Sequence, residues 1–111
     1  MSRAYSQEDM GRFWTSLTQR ICAGRQLGPS LVEIAQELSG AEVGAVVEDL
    51  VVHVKQGEAL SDAMKHHPDV FRKHVLCLVE GGERAGILDR ALMLIVEAAW
   101  RCPDCILELP Q

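Results

Sequence analysis

The sequence predicts an all-α fold, a six-helix bundle of antiparallel helical hairpins, on three observations. Apolar residues recur at spacings of three and four along most of the chain, the pattern of helices with one buried face. Gly24, Gly28-Pro29, Gly40, Gly57, Pro68 and Gly86 punctuate that pattern at helix-length intervals. The intervening connections are short, about two to six residues, which makes sequential helices antiparallel neighbours.

Ser6, with Asp9 three residues on, opens the first helix in the manner of a capping box. Met10, Phe13, Leu17 and Ile21 then form one stripe, so a helix is expected over 7–23 with Gly24 as its stop. Pro29 suits a first helical turn, where its missing N–H costs nothing, and Leu31, Ile34, Ala35 and Leu38 carry the second helix up to Gly40. In the third, Val43, Val46, Val47, Leu50, Val51 and Val54 fill every apolar position of a helical template, while Glu42, Glu48, Asp49 and Lys55 take the other side. Valine is a poor helix former, yet two-residue alternation fails at Val46-Val47 and Leu50-Val51, so a helix is expected over a strand. Gly57 closes it, since a residue past a helix end often needs positive φ.

Leu60, Ala63 and Met64 predict a short fourth helix, ended by Pro68 because the residue before a proline is biased out of the α region. Phe71, Val75, Leu78, Val79 and Gly82 put the fifth helix after Asp69, with a turn expected over 81–86. The sixth is expected over 88–100. Leu88, Ala91, Leu92, Ile95 and Ala99 share one face, and Met93, Val96 and Trp100, joined by Leu94, lie beside it. A helix apolar around so much of its circumference is either central in a core or covered by a partner, and both readings stay open.

The 111 residues suffice for one domain with a single core. At 48% hydrophobic and 24% charged, the composition is that of a globular chain rather than a disordered one. The net charge of −5 divides evenly, −2 before Gly57 and −3 from it on, and leaves no basic stripe for a nucleic-acid backbone or an anionic membrane. Aromatic residues, at 5%, are too few for base-stacking platforms. Residues 1–10 contain Arg3, Glu8 and Asp9 and no apolar core of a signal peptide. The longest apolar run, Ala91 to Val96, stops at Glu97, far below the ~20 residues of a membrane span. A soluble chain in the cytoplasm, with reduced thiols, is expected.

Few residues suggest chemistry. Cys102-Pro103-Asp104-Cys105 has the spacing of a metal chelate or a redox dithiol, but no second ligand pair stands near it. A plain tail, a metal shared with a partner chain and thiol chemistry are the three readings it leaves. Cys22 and Cys77 fall within helices and are expected as small buried hydrophobes. His74 and Cys77, one turn apart, supply only two ligands, and His74 beside Lys73 reads as solvated. His66 and His67 are expected in the last turn of helix four, where they complement the helix dipole, with pH sensing or ligation as the alternatives. The run Gly81 to Gly86 lacks the strand, lysine and hydroxyl of a phosphate loop, and Glu83 would repel phosphate. Glu83 and Asp89 are instead expected to cap or charge the start of helix six. Glu8-Asp9 and Glu48-Asp49 read as solvated charge, and no spacing supports a Ser-His-Asp triad. No enzyme and no cofactor are expected.

The run GEALSDAMKHHPDVF followed by GERAGILDRAL resembles the signature of the cytoplasmic F-domain of type II secretion and type IV pilus inner-membrane platform proteins. The matching residues are Gly57, Leu60, Ala63, Met64, His67, Pro68, Phe71, Gly82, Glu83, Gly86 and Leu88. Upstream, Phe13, Leu17, Ala23-Gly24, Leu27 and Leu31 are similar to the family's opening pattern. The resemblance spans about 11–99 and implies a helical F-domain over 1–101, followed by a 102–111 tail that carries CPDC. It further implies a non-catalytic scaffold or adaptor. Its partners would be a secretion or pilus assembly ATPase or platform components, met as a homodimer at the cytoplasmic face of the inner membrane.

In that family two copies of the domain occur, and a basic segment and a membrane span follow the sixth helix. Here there is length for one copy, and CPDC and ILELPQ follow instead. Together with Met1, that tail leads us to expect a stand-alone relative rather than an excised piece. Met93, Val96 and Trp100 are the expected partner-binding residues, with a polar helix face as the alternative. The competing expectations are a metal- or thiol-linked protein working through Cys102 and Cys105, and a relative kept only to dimerise.

Overall fold

Six helices follow one another in the computed structural model, which describes the backbone of residues 7–101 and the side chains of residues 8–98. They are α1 (Gln7–Cys22), α2 (Leu27–Glu37), α3 (Glu42–Lys55), α4 (Leu60–Met64), α5 (Lys73–Ala85) and α6 (Leu88–Arg101). Among the described residues all regular structure is helical, as the apolar spacing predicts. Ser6, the expected cap of α1, lies outside them. Each helix packs on the next in sequence, and α6 returns to pack on α1, so the bundle closes as a ring.

The core follows from the stripes. Leu17, Leu31, Ile34, Val47, Leu50, Leu60, Met64, Val79, Leu92 and Ile95 are fully enclosed. Of the α3 valines, Val43, Val46 and Val47 are buried, Val51 and Val54 pack half-buried against the core, and Val52 faces out. Gly44 explains how α3 lies so close to the end of α2: a Cβ there would meet the Leu38 carbonyl oxygen at 2.3 Å.

Trp14, absent from the expected α1 stripe, is 1% exposed. It packs edge-on against Phe13 and Phe71, with ring centroids 5.0 and 5.9 Å away. Its position i+4 from Met10 and i−3 from Leu17 was the available signal. The indole N–H has no acceptor among the described residues.

Three expected boundaries move. α4 ends at Met64, so His66 and His67 lie beyond it. The chain turns across Pro68, with the Val70 and Phe71 N–H groups donating to the His67 carbonyl at 3.0 and 3.1 Å. Phe71 therefore fills the core from the connection, not from α5. In turn, α5 runs through Gly81 and Gly82 to Ala85 instead of turning there. Only Gly86, at φ +73, leaves the helix, and the Ile87 N–H donates back to the Gly82 carbonyl at 2.8 Å in a Schellman closure.

On the outer surface Arg20 clamps α1 to α2. Its guanidinium donates to Glu33 at 2.9 Å and to Glu37, and Arg25 reaches Glu33 at 3.0 Å. The Arg20 hydrogen bond, opposed by partial desolvation and helped by the charge of Arg25, holds the Glu33 carboxyl below the usual range. Its folded-state pKa thus lies below its unfolded one. The stabilisation is complete above the ordinary glutamate value of about 4.3 and is lost as pH falls through the folded value. Glu33→Gln is accordingly expected to melt below the native chain at pH 7, with the difference shrinking as pH falls below the ordinary glutamate value of about 4.3, as followed by circular dichroism.

Candidate functional site

The residues from α3 to the start of α6 form a connected set. Gly57, at φ +95, reverses the chain after α3, and the Glu58 N–H donates to the His53 carbonyl at 3.1 Å. Leu60, Ala63 and Met64 then point into the core. A helix as short as α4 leaves most of its first N–H groups without an internal acceptor, and Ala59 at its N-cap offers no side-chain oxygen. Glu83 of α5 supplies it. The buried Ser61 hydroxyl donates to Glu83 Oε1 at 2.6 Å, and the Ser61 N–H lies 3.3 and 3.4 Å from the two carboxylate oxygens. Glu83 thus caps α4, not α6 as expected.

Gly82, one residue earlier, lets α5 approach α6. A Cβ on it would stand 2.6 Å from the Ala91 Cβ and 3.2 Å from the Leu88 Cα. Its backbone freedom is not what the position requires; the room is.

A cluster of histidines and carboxylates surrounds the α3–α4 junction. His53 Nδ1 lies 2.8 Å from Glu58 Oε2, and His66 Nε2 lies 3.4 Å from Glu58 Oε1. The two imidazole rings stack with centroids 4.0 Å apart and planes 13° from parallel. Asp49 meets His53 Nε2 at 3.4 Å and His67 Nε2 at 2.6 Å. The hydrogen bond with Glu58 raises the His53 pKa against the opposing effect of burial, with the charges of Glu58 and Asp49 adding to it. His53 in turn holds the Glu58 carboxyl low. His66 and His67 therefore pair with acids from α3 and the turn after it, rather than serving the end of α4. Sequence reasoning passed over His53. The signal was Asp49, His53 and Glu58 at successive spacings of four and five.

The outer face of α6 is the second feature. Ala91, Leu92 and Ile95 are buried, and Leu88 and Val96 pack half-buried against the core. Met93 and Leu94 are each 54% exposed and Ile87 is 42% exposed. The expected partner stripe is thus divided: Met93 faces out, Val96 leans on the core, and the side chain of Trp100 lies outside the described residues. Cys102 and Cys105 lie outside them too. Cys22 and Cys77 are exposed, contrary to expectation, because both sit off the apolar stripes of α1 and α5. His74 is also exposed and takes no part in the cluster around His53.

Compared with known families, residues 15–101 match the sequence model of the type II secretion system protein F family.

Three substitutions test the geometry. Glu83→Ala leaves the buried Ser61 hydroxyl and N–H without their acceptor and is expected to cost about 1–3 kcal/mol in a urea titration. Gly82→Ala gains about 1 kcal/mol of helix propensity, but overpacking against Ala91 is expected to cost about 1–3 kcal/mol. A net loss of stability is therefore the expected outcome, whereas alanine at the exposed Gly81 should stabilise.

Proposed function

Because the chain belongs to the type II secretion system protein F family, we propose that it acts as a non-catalytic scaffold, self-associating and docking an assembly ATPase or another platform component. Membership relates the chain to the assembly platforms of type II secretion and of type IV pili. The observation that supports a binding role is the outer face of α6. Met93 and Leu94 lie there with Ile87 at its start, exposed on a domain whose other large apolar side chains, Val52 apart, are enclosed or half-enclosed among the described residues.

Apolar groups displayed side by side on a helix gain free energy only when another surface covers them. Arg90 and Glu97 stand at the polar positions of the same face and give a partner charges to match at its edge. Trp100 follows Met93 by seven residues in the sequence, so a binding role for it is part of the same proposal, and tryptophan is a frequent anchor of binding energy. No helix among the described residues is long and apolar enough to cross a membrane. In our reading the domain reaches the cytoplasmic face of the inner membrane through its partners.

Sedimentation equilibrium of the whole chain beside the Met93→Glu/Leu94→Glu variant tests this reading, with capture of the purified assembly ATPase measured on both. Self-association and capture are expected to weaken at least about tenfold, roughly 1.4 kcal/mol, with helicity unchanged because neither side chain is in the core. Association and capture equal to those of the native chain would remove α6 as the surface.

A further inference from the structure

We propose that His53, Glu58 and His66 form a binding site for a divalent first-row transition-metal ion of the zinc class. One ligand atom from each lies within 4.8 Å of the others. The closest pairs are His53 Nδ1 to Glu58 Oε2 at 2.8 Å and His66 Nε2 to Glu58 Oε1 at 3.4 Å. A tetrahedral ion with bonds of about 2.0–2.1 Å keeps its ligand atoms roughly 3.3 Å apart. The His66 pair already stands at that separation, but through Oε1, whereas the His53 pair is made through Oε2. The Glu58 carboxyl must therefore turn to present one oxygen to both rings, and the His53 pair opens by about half an ångström as the ion replaces the shared proton.

The surroundings prepare one of the two rings. A ligating imidazole holds its orientation by donating its second N–H to a carboxylate, and Asp49 Oδ2 stands 3.4 Å from His53 Nε2, near enough to accept that proton once the ion is bound. Asp49 is itself held by His67 at 2.6 Å. That arrangement leaves His53 Nδ1, the atom facing Glu58, for the ion. His66 is the adjustable ligand. Its ring stacks parallel to that of His53, whereas two imidazoles on one ion direct in-plane lone pairs at a common point. The His66 ring must therefore turn, and it is 50% exposed on the non-helical segment after α4.

The donor set selects the class of ion. Two imidazole nitrogens and one carboxylate oxygen suit zinc and its neighbours, while calcium and magnesium take oxygen ligands. Three protein ligands leave a fourth position to water or another donor. None of the three ligands belongs to α6, so the site stands apart from the proposed docking face.

The test uses the full chain carrying Cys102→Ser and Cys105→Ser, so that the tail thiolates do not compete, with Zn²⁺ as the only added ligand. Titration calorimetry is expected to show one ion per chain. Glu58→Gln and His66→Ala should each weaken binding at least about tenfold, and Asp49→Asn by about 10–100-fold, as loss of an orienting partner does. In the chain with all three ligands in place, the ring nitrogen resonances of His53 and His66 should shift on zinc addition while those of His74 stay put. That readout does not depend on any ligand variant folding. No zinc binding in the serine-substituted chain, zinc binding unchanged by Glu58→Gln and His66→Ala, or ring shifts that bypass His53 and His66 would each overturn the site.

Discussion

Edge-to-face packing of Trp14 on Phe13 and Phe71 joins the first helix to the connection between α4 and α5. Much of the remaining packing follows from that contact. α1 touches both α2 and α6, so whatever fixes α1 also fixes the beginning and end of the ring. An aromatic side chain of this size removes about 150–250 Å² from water, worth about 4–6 kcal/mol at about 25 cal/mol per Å². The buried indole N–H has no acceptor among the described residues, and a buried donor left so costs about 1–3 kcal/mol. The burial is the larger effect, which is why a tryptophan is tolerated at this position.

α4, with five residues, is too short to be stable by itself, and its neighbours complete it. Glu83 satisfies its first turn through Ser61, Gly57 reverses the chain ahead of it, and His67 pairs with Asp49 after it. This gives the family motif a physical meaning. Gly57, Leu60, Ala63, Pro68 and Phe71 build the short helix and its exit, Gly82 and Glu83 bring α5 against α6 and α4, and Gly86 and Leu88 start α6. These residues form one packing unit, so loss of one is felt by elements distant in sequence.

The same architecture leaves two features that stability does not require. α6 buries Ala91, Leu92 and Ile95 yet displays Met93 and Leu94, a cost in exposed apolar surface that a partner would offset. The second feature is the stacked pair His53 and His66 astride Glu58, where one ligand atom from each of the three residues lies within 4.8 Å of the others. The first is a local departure from the rule that apolar groups face inward, and such departures are where function is sought.

The sequence by itself determined the helical class, the number and order of the helices and most of the core, because burial of a helix face imposes a three-to-four spacing that survives in one dimension. Leu31, Ile34, Val47, Leu50 and Leu92 are enclosed where that spacing puts them. Where several demands meet at one residue, only the tertiary structure decided. Gly82 reads as a turn signal along the chain, but it stays helical because Ala91 occupies the space a side chain would need. Glu83 reads as a cap for the helix that follows it and instead caps one that precedes it, since the nearest orphan N–H in space belongs to α4. His53, Glu58 and His66 come together only through the reversal at Gly57, a distance relation that periodicity does not encode.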